Sequence, residues 1–193
     1  MANNLNVNVL VLDTEVYSNT GGQSSKSSQA SSIAQFAAGG KSLAKKDLGQ
    51  IVMEYGTAYV AQVSMGANQM QTIKAFKEAE SYNGPSIIIA YSPCQEHGIK
   101  GGLVKAPLIQ KNAVECGYVT LYRFDPRLEK PLQIDSKEPN WDKFQDFLMN
   151  EARYFNLPRV RGQEVANELF AKTLSDAKIR YNKLVAKVKM QEA

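Results

Sequence analysis

Three short apolar runs dominate the hydropathy pattern of this chain: Val7–Leu12, Thr57–Ser64 and Ser86–Tyr91. Each is rich in β-branched residues and bounded by turn formers, as strands buried on both faces of a parallel sheet are. Helical periodicities alternate with them. Asp47 is a plausible cap for Leu48–Tyr55, which Gly56 ends. Asn68 can cap a second helix, with Met70, Ile73 and Phe76 predicted to face inward and Lys74, Lys77 and Glu78 water. Residues 106–116 suit a third helix, and Tyr118–Phe124 a fourth strand. The alternation predicts an α/β fold, a parallel sheet with helices on both faces.

Past Pro126 the pattern changes. Trp141, Phe144, Phe147 and Leu148 make one amphipathic helix. Val165, Leu169, Leu174, Tyr181, Leu184 and Val188 trace one or two more. The expected organisation is one unit over residues 1–130 and a C-terminal helical extension over 131–193. Between the first strand and the first helix, Gly21–Ser42 is a Gly/Ser/Ala/Gln stretch. Ile33, Phe36 and Ala37 recur there at helical spacing, which predicts a loop holding a short helix and packed over the site, not disorder.

Composition adds exclusions. In 193 residues, 44% are hydrophobic and 22% charged, the balance of an ordinary globular domain. No apolar run approaches the ~20 residues of a membrane span, and the first residues do not read as a signal peptide. Two cysteines, Cys94 and Cys116, make no disulfide framework. A cytoplasmic protein without membrane association is the expectation. The net charge of +4 falls entirely beyond residue 158, where eight Lys/Arg face four acids. A basic helix face can steer an acidic partner, though a solvated face is the commoner reason for such a bias. Nucleic acid is not expected, since no basic groove interleaved with aromatics is visible.

The chemistry concentrates at the end of the first strand, in Asp13-Thr14-Glu15-Val16-Tyr17-Ser18-Asn19-Thr20-Gly21-Gly22-Gln23. In open α/β sheets ligands bind at the carboxyl ends of strands. Hydroxyls, an amide and paired glycines suit a phosphate and its metal ion, although Thr14 and Asn19 are also ordinary turn residues. Asp13 reads as structural, and Glu15 carries no assignment. Ser92-Pro93-Cys94-Gln95-Glu96-His97 comes directly after the third strand. A lone buried cysteine is usually a small hydrophobe. Cys94 and His97 form a CxxH half-site, but zinc needs two further ligands. Gly39-Gly40-Lys41-Ser42 imitates a P-loop but has Gln35 where its leading glycine belongs.

The run LDTEVYSNTGGQSSKS resembles the thiamine diphosphate loop of the pyruvate:ferredoxin (flavodoxin) oxidoreductases. Similarity continues through Lys45–Gly49, Tyr59–Gly66, Lys77–Ser81, Ile89–Cys94, Asp125–Leu128 and Asp135–Lys137. The resemblance implies the thiamine-diphosphate-binding fold, incomplete at its N-terminus because the Gly-Asp-Gly half of the motif is absent. It implies that Thr14 and the Val16 carbonyl complete the coordination of Mg²⁺, and that Asn19 reaches the diphosphate or the substrate. Cys94 would be the fourth ligand of a [4Fe–4S] cluster whose other ligands lie upstream. The reaction implied is the oxidative decarboxylation of pyruvate with coenzyme A to acetyl-CoA and CO₂. Its electrons would pass to ferredoxin or flavodoxin in a homodimeric full-length enzyme. This chain is then a fragment, inactive alone. A related 2-oxoacid oxidoreductase and a non-catalytic interaction module are the alternatives.

Overall fold

A computed structural model describes residues 3–192. Its centre is a five-stranded sheet made of β1 (Asn8–Asp13), β4 (Tyr59–Val63), β5 (Ser86–Tyr91), β6 (Tyr122–Phe124) and β7 (Leu132–Ile134). Across the sheet their order is β1-β5-β4-β6-β7. A separate two-residue pair joins β2 (Val16–Tyr17) to β3 (Gln23–Ser24). The first three long strands run parallel, with Val9 opposite Ile87 and Val60 opposite the same residue. The fourth does not. β6 lies antiparallel to β4, and β7 antiparallel to β6. The sheet is therefore mixed, mostly parallel in its long strands, with helices on both faces.

Strand alternation sorts the core into two layers. On one face Val60, Ile87, Ile89 and Tyr122 meet Val52 and Met53 of α1 (Leu48–Met53) and Leu184 of α7 (Gln163–Met190). On the other, Tyr59, Ala61, Val63 and Ile88 meet Ala75 and Ala79 of α2 (Gln69–Ser81). A third cluster lies beyond the carboxyl ends of the strands. It joins Tyr91 to α3 (Ala106–Glu115), Tyr118, the short helices α4 (Phe144–Leu148), α5 (Ala152–Phe155) and α6 (Leu157–Arg161), and again α7. The extension past residue 130 thus shares core with the sheet, through one helix of 28 residues. Asp47 and Asn68 cap α1 and α2 through their side chains, accepting from Gln50 N and Gln71 N.

Two expectations fail. α2 does not bury Met70, Ile73 and Phe76, which are 73%, 49% and 44% exposed. Its buried stripe is Gln71, Thr72, Ala75 and Ala79. Small residues let that helix lie close on the sheet, while Gln71 Nε2 donates to Gln62 O and to Asp135. Glu78, expected in water, accepts instead from Tyr59 and Arg123. Nor does 21–42 contain a helix. Phe36 stands at φ 63°, in a left-handed conformation that a helix does not admit, and its side chain is exposed. The stretch is nonetheless packed. Ser28, Gln29, Ala30, Ser31 and Ser32 are buried, and Lys41 Nζ donates to the carbonyls of Ser25, Lys26 and Ser28.

Candidate functional site

The site is built where β1 stops. Glu15 adopts φ 63°, a left-handed turn that costs a side-chain-bearing residue on the order of 1 kcal/mol or more. It brings Thr14 Oγ1 to 3.0 Å from the Val16 carbonyl oxygen, to which it donates. Two cis ligands of an octahedral ion, each at 2.0–2.1 Å, stand about 3.0 Å apart. The donor chemistry and spacing therefore fit two of the six oxygens that Mg²⁺ takes. Asp13 and Glu15 are not free to supply a third. Asp13 accepts from Ser27, from Lys45 at 2.5 Å and from Glu15 N. Both oxygens of Glu15 are likewise engaged. Among the described residues no group of three or more His, Cys, Asp or Glu is placed to hold a metal.

What holds Glu15 in its left-handed turn is a buried knot of charge. Its Oε2 accepts from Arg153 at 2.7 Å and from Tyr118 Oη at 2.6 Å, and its Oε1 faces Lys45 at 3.2 Å. Its backbone carbonyl accepts from Ser25 and Ser28. Burial works to raise the Glu15 carboxyl, but Lys45 and Arg153 outweigh it and hold it well below the usual range. Arg153 also binds Glu151 at 2.7 Å. Burial pushes the Glu151 carboxyl up, against the attraction of Arg153.

After the short 3-10 turn Ser18–Thr20, Gly21 and Gly22 take φ 107° and 80°. At Gly22 the positive φ calls for glycine, while the nearest atom a Cβ would meet is the movable carboxylate end of Glu96. Asn19 is exposed on that turn, and its amide makes no hydrogen bond among the described residues. Cys94 is buried and free, and its Sγ lies 3.3 Å from Ser18 Oγ. The structure thus draws Thr14, Val16, Ser18 and Cys94 into one hydrogen-bonded group, with Asn19 on the turn beside it.

His97 fastens the two segments together. Its Nε2–H donates to the Thr14 carbonyl at 2.8 Å, and its Nδ1 accepts from Cys94 N at 3.4 Å. Burial drives its pKa down to about 3, so the ring is neutral. At 3.8 Å, Glu151 Oε1 is within ion-pair range of Nδ1, but a neutral ring forms no ion pair. With both nitrogens used inside the protein, His97 is a brace and not a zinc ligand. Cys116 lies elsewhere, at the end of α3, where burial pushes its thiol up to about 12.

A cavity of about 310 Å³ opens behind the loop, between the sheet, α1 and α7. Thr14, Val16, Tyr91, Tyr122 and Arg180 are among the residues that line it, but Asn19 and Cys94 do not reach it. Sequence reasoning missed Glu15, Arg153, Lys45, Ser18 and His97 as parts of the site. The sole usable signal was a second acid directly after the strand end, for which no local partner exists.

Known proteins share this arrangement's sequence. Residues 1–90 match the family described as "Thiamine pyrophosphate enzyme, C-terminal TPP binding domain". The chain is 53% identical over 191 residues to the pyruvate:ferredoxin oxidoreductase of Moorella thermoacetica, covering 95% of this chain and 16% of that protein. It is 49% identical over 185 residues to the pyruvate-flavodoxin oxidoreductase of Klebsiella pneumoniae, at 94% and 16% coverage. It is also 45% identical over 191 residues to the mitochondrial NADP(+) pyruvate dehydrogenase of Euglena gracilis, at 96% and 10%. The chain spans about a sixth of the length of the first two relatives. No helix among the described residues is long and apolar enough to cross a membrane. The chain belongs to the family of pyruvate:ferredoxin and pyruvate-flavodoxin oxidoreductases, and its residues 1–90 match a thiamine-pyrophosphate-binding domain.

Proposed function

We propose that this chain carries the diphosphate-metal half of a thiamine site and one thiolate of an iron–sulfur cluster, in an enzyme that oxidatively decarboxylates pyruvate. The observation that carries the reading is the Thr14 hydroxyl and Val16 carbonyl held 3.0 Å apart within two hydrogen bonds of the free Cys94 thiol. Thiamine diphosphate supplies, when bound, the carbanion that adds to the keto carbon and lets CO₂ leave. Thr14 and Val16 give oxygens to Mg²⁺, and the Glu15 knot keeps them aimed. Asn19, exposed and uncommitted, offers its amide to the diphosphate or to the substrate's carboxylate and keto oxygens. Cys94 provides one of the four thiolates of a [4Fe–4S] cluster, the other three lying outside the described residues. Electrons then leave singly for ferredoxin or flavodoxin, and coenzyme A accepts the acetyl group. A full-length homodimer in the cytoplasm is part of this reading.

The test uses the full-length protein, purified without oxygen. Pyruvate- and CoA-dependent reduction of a low-potential dye is expected in the wild type. Cys94→Ala should abolish it with loss of one cluster's EPR signal, and Asn19→Ala should lower kcat with all clusters retained. Full cluster content in Cys94→Ala would remove the thiolate from the reading. Reduction driven by another 2-oxoacid and not by pyruvate would reassign the substrate.

A further inference from the structure

Four atoms stand in single file across the loop: the Val16 carbonyl oxygen, Thr14 Oγ1, Ser18 Oγ and Cys94 Sγ. Their spacings are 3.0, 2.9 and 3.3 Å. The protons run one way along this file. The Cys94 thiol points at Ser18, Ser18 donates to Thr14, and Thr14 donates to Val16. A hydroxyl both donates and accepts, so such a file can reverse as a whole.

A cation held by Thr14 and Val16 would favour that reversal. With both oxygens turned on the cation, the Thr14 proton can no longer point at Val16, and its other neighbour in the file is Ser18 Oγ. Ser18 then accepts from Thr14 and turns its own proton to Cys94. A sulfur bound to iron has no proton of its own and accepts that bond. Hydrogen bonds to ligating sulfurs are among the factors that set a cluster's reduction potential, and they ease the addition of an electron.

We propose that Ser18 is a positioning residue that transmits occupancy of the Thr14–Val16 oxygens to the sulfur of Cys94. Filling the thiamine–metal site would thereby make the adjoining cluster a better electron acceptor. The inference rests on the assignment of Thr14 and Val16 to Mg²⁺ and of Cys94 to the cluster, and goes beyond it in giving Ser18 a role. Nothing in the file requires the protein to move. The three atoms after Val16 keep their places, and the direction of their bonds changes.

The experiment is an EPR-monitored redox titration of the full-length protein, first loaded with Mg²⁺ and thiamine diphosphate, then depleted of both. The signal followed is the one that Cys94→Ala removes. In the wild type its midpoint should be more positive in the loaded protein. Ser18→Ala should lower the loaded midpoint to the depleted value, with iron content unchanged, and Ser18→Thr should restore the difference. Proton ENDOR on the reduced, loaded protein should show an exchangeable coupling that Ser18→Ala lacks. Equal midpoints in wild type and Ser18→Ala, or an ENDOR coupling that survives the substitution, would overturn the inference alone. A Cys94→Ala protein that keeps every cluster signal would overturn the assignment beneath it. Loss of the cluster in Ser18→Ala with retention and the full midpoint difference in Ser18→Thr would support the hydroxyl's role.

Discussion

Two arginines in this molecule each gather two carboxylates, one beneath the loop and one on the antiparallel side of the sheet. Arg123 sits on β6, next to the edge strand β7, and uses every arm. Its Nε and one Nη reach Asp135, the other Nη takes both oxygens of Glu78, and Gln133 completes the set. Its side chain is 7% exposed, and its acids 22% and 15%. Arg153 is 1% exposed, between Glu15 and Glu151 at 1% and 0%. Yet its Nη1 and the Glu151 Oε1 have no hydrogen-bond partner among the described residues. The complete network binds α2 to β6 and β7. The incomplete one holds a strained turn at the site. Water screens the first and is shut out of the second, so removal of one partner should have unequal consequences.

The largest expected effect is that of Arg153→Met, which leaves Glu15 and Glu151 buried without a counter-charge. Its cost should be about 3–5 kcal/mol, read as a lower urea midpoint for this chain by the fluorescence of its single tryptophan, Trp141. A cost below about 1 kcal/mol would mean that the knot is more hydrated than its burial indicates.

Acid should act next. Because the Glu15 carboxyl lies below its ordinary 4.5 in the fold, its contribution is complete above pH 4.5 and is lost as pH falls through the folded value. Glu151 has the opposite sign. Its folded value is raised, so its contribution is present below 4.5 and declines as pH rises through that value. His97 adds to the acid side, since a ring held to about 3 must resist protons that the unfolded chain accepts below its ordinary 6.5. A loss on the order of 2 kcal/mol is expected over this acid window. Glu15→Gln should flatten the slope below pH 4.5; an unchanged slope would remove Glu15 as its source.

Arg123→Met should cost less than Arg153→Met, about 1–2 kcal/mol, because its partly exposed acids regain water. An equal cost for the two would erase the distinction between edge and interior. At the bottom of the series stands the surface pair of Lys187 with Glu54, the latter largely in solvent. Lys187→Ala should leave the urea midpoint where it was.

Four of the strands (β1, β4, β5 and β6) and three of the helices were legible because each repeats a local pattern. Val60, Ile87 and Ile89 lie in apolar runs, and Asp47 and Asn68 cap the helices that begin after them. The direction of β6 was not. Tyr122–Phe124 is three residues long, and only the return through β7 at Leu132–Ile134 makes it antiparallel. The face of α2 was misread because periodicity finds the bulkiest stripe, whereas close packing on the sheet selected Ala75 and Ala79. At the site, Thr14, Val16, Asn19 and Cys94 came from a motif. Glu15 did not, since its counter-ion Arg153 lies 138 residues away and no spacing announces so distant a pair.

One long-range bond bears on how the molecule is made. Thr173 of α7 donates to the Ala30 carbonyl across 143 residues, and α7 closes both the cluster on the sheet and the one beyond the strand ends. A ribosome adding roughly 5–20 residues each second needs on the order of ten seconds between those two points. From their own synthesis to the end of that interval Ile87 and Ile89 lack the cover of Leu184, and for most of the interval the loop lacks its Arg153. The sheet cannot finish that face any earlier. The nascent chain therefore needs shielding until α7 emerges, and a synonymous-codon change that slows translation between residues 30 and 173 should raise the fraction that aggregates.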